Sequence, residues 1–181
     1  RNAAIAEASG DIIVATDAGT EALPDWLARL IEPLERETGV DISAGFFEAN
    51  ARTFWARALA AATLPDAADI EPDTFLPSSR SVAFRRSWFD QGFAYPEWLD
   101  YCEDVVLDLQ LRRAGARQAF VPEARVRFEP RRGPGAFFRQ YYRYARGDGK
   151  AGLFARRHAI RYTTYFGLAL VIARRRPVEL A

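Results

Sequence analysis

Apolar and polar positions fall in blocks along this chain, and each block has a length that suits one element. Asn2 to Ala8 carries apolar residues at helical spacing and stops at Gly10, while Asp11 to Ala15 (DIIVA) is a short β-branched run suited to a strand buried on both faces. A polar turn, TDAGT, follows. Pro24 and Asp25 open a helix with Trp26, Leu27, Leu30 and Ile31 on its apolar side, expected to kink or end near Pro33. Val40 to Phe47 reads as a strand, Thr53 to Ala62 as a helix, Asp66 to Asp73 as an acidic loop, Ser81 to Phe84 as another strand, and Trp88 to Tyr95 as a short helix and turn. Glu103 to Ala114 is the clearest helix: acids stand in its first turn, Arg112 and Arg113 in its last, and Gly115 stops it. Two strand-like pieces, Arg117 to Val121 and Ala124 to Phe128, precede a helix from Pro134 to Arg146. Strands and helices alternating around apolar strands predict an α/β layered domain.

Composition bounds this picture. With 49% hydrophobic and 13% aromatic residues, a chain of 181 residues buries one substantial core, enough for one globular domain or most of one. It has no methionine and opens inside a helical pattern, so an N-terminal truncation is expected. A single cysteine, Cys102, and a single histidine, His158, remove a disulfide framework, a zinc cluster and a Cys/His or Ser/His catalytic pair, and suit a reducing compartment. His158 has no metal-ligand partner at useful spacing and is expected at a surface or interface.

Charge is segregated. Residues 1–111 hold 8 arginines against 20 acids, and residues 112–181 hold 17 basic residues against 4 acids. The basic half is arginine except for Lys150. That suits bidentate contact with phosphate oxygens or an anionic membrane surface; equally, it suits a solvated face balancing the acidic half. The apolar run Tyr162 to Ala173 is 12 residues long, short of the roughly 20 that span a bilayer. Arg156, Arg157 and Arg161 precede it; Arg174, Arg175 and Arg176 follow. Residues 156–181 therefore read as a basic, apolar C-terminal helix, lying on a membrane surface, forming a span cut short, or buried against the domain.

Three groups of residues carry candidate chemistry. Asp17 stands just past the C-terminal end of DIIVA, where open α/β sheets present residues to ligands, and either binds a cation or ribose hydroxyl or serves the turn beside Gly19. Glu103 and Asp104 either cap their helix or supply a carboxylate that takes a proton from a hydroxyl as its oxygen becomes a nucleophile. Gln140, Arg143 and Tyr144 share a helix face, fit either to clamp a pyrophosphate or to form an arginine-rich amphipathic helix. Gly147, Gly149 and Gly152 fit GxGxxG but follow a helix rather than a strand, and so fail the context of a dinucleotide site.

These signals stand in a recognisable order. RNAAIAEASGDIIVATDAG resembles the RNxGixxAxGDyixfxDaD segment of inverting family 2 glycosyltransferases of the GT-A fold. SVAFRRSWFDQGF resembles that family's NxAFRRxxxxxxGGF segment, CEDVVLDLQLRRAGARQAFVPEARVRF its EDxDLxLRLRRAGyrixyxPxAxvxH segment, and QYYRY (Gln140 to Tyr144) the QxxRW motif. The resemblance covers roughly residues 1–150, and the domain it implies is expected over residues 1–155. It implies a Rossmann-like mixed sheet with flanking helices, with the first strand-helix-strand unit upstream of Arg1. It further implies transfer of a sugar, hexosyltransferase-like, from a nucleotide-sugar donor to a glycan or lipid-linked acceptor, at the cytoplasmic face of the cell membrane. Asp104 would then be the catalytic base, Asp17 would hold the donor and its Mg²⁺ or Mn²⁺, and Glu103, Ser81, Gln140, Arg143 and Tyr144 would line the donor and acceptor. The chain departs from the pattern at Gly19, which replaces the second aspartate of DxD, at Ser81, which replaces asparagine, and at Tyr144, which replaces tryptophan. Two other readings stand beside it: a catalytically silent nucleotide- or glycan-binding module, favoured by Gly19, and a nucleic-acid-binding domain, which leaves TDAG and CED unexplained and ranks last, so that nucleic acid is not an expected partner.

Overall fold

A computed structural model describes residues 1–175. The chain runs α1 (Asn2–Glu7), β1 (Ile12–Ala15), β2 (Thr20–Ala22), α2 (Trp26–Arg36), β3 (Ile42–Ala49), α3 (Phe54–Thr63), a single 3-10 turn (Ala67–Asp69), β4 (Val82–Arg85), α4 (Ser87–Asp90), α5 (Glu103–Arg113), β5 (Gln118–Phe128), α6 (Pro134–Lys150) and α7 (Ala155–Arg175). The α/β layering expected from the pattern is what the chain adopts. Residues 176–181 of the expected 156–181 segment lie outside the described residues.

Five strands form one mixed sheet in the order β1-β4-β3-β5-β2; β3 and β5 are parallel and the other pairs antiparallel. β1 and β2 are therefore opposite edges of the sheet, although only four residues separate them in sequence. A flat sheet would set their axes about 19 Å apart, and the chain from Ala15 to Thr20 reaches at most about 17 Å. The sheet must curl. The bend lies where the β3–β5 register jumps: Gly45 pairs with Val121, but Phe46 pairs with Arg125. At this irregularity the sheet leaves no room for a side chain, since a Cβ on Gly45 would stand 2.0 Å from Ser81 Oγ and 2.5 Å from the Ala124 carbonyl oxygen.

Two apolar clusters cover the sheet. Ile42, Val82 and Phe84 pack with Tyr95, Leu107 and Leu111, which seats α5 on one side, and Leu30 and Leu34 pack with Val40, Ala83 and Ala124, which seats α2. Four expectations need correction. TDAGT is not wholly turn, because Thr20 opens an edge strand on β5. α2 continues through Pro33 to Arg36, held by buried Leu30 and Leu34 on either side of the proline. The two strand pieces before α6 form one strand, with Pro122 in the register jump, a place where a strand tolerates a residue that cannot donate. α6 runs a turn past Arg146, to Lys150.

Candidate active site

The curled sheet carries the turn after β1 toward the start of α5. Thr20 stabilises that turn, its N–H and its hydroxyl both donating to the Asp17 carbonyl, and Gly19 supplies the φ of +85° that the turn requires. The Asp17 side chain is thereby left free to meet two arginines: Arg1 Nη2 lies 2.7 Å from Oδ1, and Arg80 Nε lies 4.0 Å from Oδ2. Arg1 also pairs with Glu103, so a single guanidinium bridges the β1 turn and the first residue of α5. Burial opposes the Arg1 charge, but the carboxylates of Glu103 and Asp17 outweigh it and push the Arg1 pKa up. Asn2 secures the same end of the chain: its side-chain amide donates to the Tyr95 carbonyl at 2.8 Å and accepts from the Tyr95 N–H at 3.0 Å.

Asp104 follows Glu103 in the first turn of α5. The chain enters this helix through Cys102 at a left-handed φ of +66°, a conformation rare for a side-chain-bearing residue and frequent where function fixes the backbone. Asp104 Oδ1 accepts from the Val105 N–H at 2.9 Å, and Oδ2 accepts a long bond, 3.5 Å, from the Ser79 N–H. Its contacts are sparse for a capping carboxylate and leave acceptor capacity unused. Cys102 itself offers no nucleophile, because burial and then the charge of Asp148 push its thiol up to about 12.

On α6, Gln140 donates to the Tyr144 hydroxyl at 2.7 Å and accepts from Arg131. Arg143 donates to the Tyr101 hydroxyl at 2.7 Å, and Tyr101 meets Tyr144 edge to face. Close approach makes this possible: a Cβ on Gly147 would lie 2.6 Å from the Tyr101 carbonyl oxygen, so α6 presses directly on the segment leading into α5. Arg80 completes the junction. Its guanidinium stacks on Phe128 and Phe47, and it lines one pocket with Gln140 and Tyr144 while facing Asp17 on its other side.

Asp17, Glu103 and Asp104 thus gather at one end of the sheet, with Gln140, Arg143 and Tyr144 beyond Arg80 and Tyr101. Ser81 does not join them. It is fully buried, accepts from Trp26 Nε1 at 2.8 Å and donates to the Ala124 carbonyl at 3.0 Å, so its hydroxyl holds the sheet rather than a ligand. His158 stands where α7 meets α6, its Nε2 3.1 Å from Asp148 Oδ2, beside Arg157. Sequence reasoning left Arg1, Arg80, Tyr95 and Asp108 without a role. Arg1 and Asp108 stood inside the quoted motifs; Arg80 and Tyr95 carried no signal of periodicity or spacing.

Among the described residues no group of three metal-ligating side chains is present. The Asp17 carboxylate, a third exposed, is chemically suited to serve as one oxygen ligand to Mg²⁺ or Mn²⁺.

The α/β domain thus sets one carboxylate past a strand end and a second at a nearby helix start, with Arg1 bridging the two elements. The chain belongs to glycosyl transferase family 2, whose family model matches residues 1–93. Its fold is of the GT-A type. No curated protein matches the chain. Among solved structures it is similar to glucosyl-3-phosphoglycerate synthase from Mycobacterium tuberculosis in complex with phosphoglyceric acid, at 21% identity and a TM-score of 0.46, covering 76% of this chain and 48% of that one. The same enzyme in complex with Mn²⁺ and UDP-glucose matches at 21% identity and a TM-score of 0.44, covering 84% of this chain and 53% of that one. A mycobacterial protein matches at 22% identity and a TM-score of 0.43, covering 75% and 44%. The chain spans about half the length of these solved relatives.

Proposed function

We propose that this chain carries the acceptor side and part of the donor side of an inverting, hexosyltransferase-like glycosyltransferase. The observation that supports this most is the bridge made by Arg1, which holds the turn of Asp17 and the helix start of Glu103 and Asp104 together. In this reading Asp104 takes the proton from an acceptor hydroxyl. The acceptor oxygen then bonds the anomeric carbon from one face while the bond to the diphosphate oxygen breaks on the other, its electron pair leaving with the diphosphate. One base and no covalent intermediate suffice, which suits a site without a nucleophilic cysteine.

Asp17 would hold Mg²⁺ or Mn²⁺, which supplies positive charge to the leaving diphosphate when bound. Arg1 and Arg80 flank that carboxylate and add charge of the same sign. Gln140, Arg143 and Tyr144 meet the diphosphate or the acceptor, a glycan or a lipid-linked hydroxyl. α7 favours a membrane-side setting at the cytoplasmic face. Tyr165, Phe166, Leu168 and Ile172 are exposed on it, and Arg156, Arg157, Arg161 and Arg174 flank them, although no helix among the described residues is long and apolar enough to cross a membrane. Gly19 favours a second reading, a silent nucleotide- or glycan-binding module, because it removes one metal-binding side chain.

The test is release of nucleoside diphosphate from a panel of nucleotide-sugar donors with Mn²⁺ or Mg²⁺, using the full-length protein in membranes beside Asp104→Asn. Loss of about 10²- to 10⁴-fold in the variant, with donor binding retained, is the expected outcome. No turnover of any donor, or equal turnover by the variant, would hand the site to the silent module and return Asp104 to helix capping.

A further inference from the structure

Asp108 is a carboxyl that the proposed reaction does not use. It stands one helical turn beyond Asp104 on α5, so both project from the same face. Asp104 is half-buried, whereas Asp108 is 2% exposed. Among the described residues its Oδ2 finds no hydrogen-bond partner, and neither do the buried hydroxyls of Ser79 and Tyr95. These groups form one compartment behind Asp104. The Ser79 main chain donates to Asp104, the Ser79 hydroxyl faces the Tyr95 hydroxyl, and the charges of Asp104 and Asp108 both bear on Tyr95.

Little positive charge reaches this compartment. On its own helix Asp108 faces Asp104 and Arg112; across from it stand Tyr95, from the segment before α5, and neutral Ser79, from the segment before β4. Arg112 directs its guanidinium to the carbonyls of Asp73 and Phe75 and to Gln118. Arg1 stacks over the Tyr95 ring at 5.2 Å and is committed to Asp17 and Glu103. An ionised carboxylate in such a place costs far more than the neutral acid. Burial first, and then the charge of Asp104, hold the Asp108 carboxyl well above the usual carboxylate range, with Arg112 pulling the other way. Burial likewise pushes the Tyr95 hydroxyl up to about 12.

We propose that Asp108 is a positioning residue: a neutral carboxylic acid that forms, with Tyr95 and Ser79, an uncharged polar floor under Asp104. The floor leaves Asp104 the one charged carboxylate on that face and keeps it directed at the acceptor. This rests on Asp104 being the base. Asp108 itself neither gains nor loses a proton in the transfer; its ionisation would set a second negative charge behind the base and draw water into the core.

The test combines stability and turnover in the full-length protein. In the unfolded chain Asp108 ionises near about pH 4, and in the folded protein at higher pH. Between those values the unfolded state binds fewer protons than the folded one, so stability falls as pH rises. Asp108→Asn keeps the shape of the neutral acid and escapes this penalty. Its Tm relative to the wild type should therefore rise from about pH 4 to about pH 7.

Turnover is read with the donor that the panel selects. Asp108→Leu should lose at least about tenfold in kcat with the donor KM within about twofold, and Asp108→Asn should restore kcat to within about threefold. A Tm difference that does not change with pH, Asp108→Leu turning over like the wild type, or Asp108→Asn falling as far as Asp108→Leu would each overturn the proposal. Asp104→Asn separates the two ideas. Full turnover in that variant sinks the base and the positioning role together, whereas loss there beside an unaffected Asp108→Leu sinks the positioning role alone.

Discussion

Ser81 and Gly45 show how closely one residue's chemistry is tied to another's backbone. The Ser81 hydroxyl joins Trp26 on α2 to the Ala124 carbonyl on β5, and it lies where a Cβ on Gly45 would be. Gly45→Ala must displace the hydroxyl or open the β3–β5 pairing. Overpacking of this kind costs about 1–3 kcal/mol, and thermal unfolding should show a loss in that range; a Tm equal to the wild type would mean that the bend has slack. Sequence alone could not reveal this. Ser81 stands in a motif where a ligand contact was expected, and the hydrogen bonds that occupy it come from residues 43 and 55 positions away. The positions of Asp17 past a strand end and of Asp104 in the first turn of a helix were legible because both follow from local sequence.

At the scale of elements, legibility followed the ratio of local to distant causes. α5 could be read from its terminal charges and Gly115, all within the element. β2 could not, since Thr20–Ala22 is held by pairing with β5 more than 100 residues later, and three residues give periodicity nothing to act on. The proline in α2 misled for a related reason: local propensity says stop, while the burial of Leu30 and Leu34 against the sheet says continue. Arg85 secures the end of that helix from β4, donating to the Val40 carbonyl at 2.6 Å and the Leu34 carbonyl at 2.8 Å. A lysine cannot reproduce that fork. Arg85→Lys should lower stability by about 1–3 kcal/mol, and amide exchange should quicken first in Leu34 to Glu37. Uniform quickening across the sheet would contradict a local role.

Over the whole molecule, α6 and α7 are tied by a small ionic joint. Asp148, 6% exposed, accepts from Arg157 and meets His158, both at 3.1 Å, so the first turn of α7 is fastened to the last turn of α6. Asp148→Asn keeps the size of the side chain and removes its charge. Limited proteolysis in the link at residues 151–154 should accelerate by about threefold or more while the sheet stays intact, in line with a local opening free energy lowered by about 1 kcal/mol. An unchanged cleavage rate would show that packing rather than charge holds α7. The apolar run with its flanking arginines was legible in the sequence, but this joint was not, because an aspartate and a histidine ten residues apart carry no signal until two helices meet.

The link from Ala15 to Thr20 has a mechanical meaning. It fastens the two outermost strands to each other like a clasp, and Asp17 is carried on the clasp itself. Curvature of the sheet and the place of this carboxylate are then one variable rather than two. Any change that flattened the sheet would have to drag Asp17 away from Arg80 and from the helix start of Asp104, whereas lengthening the clasp by a few residues would let the sheet relax and leave the carboxylate behind.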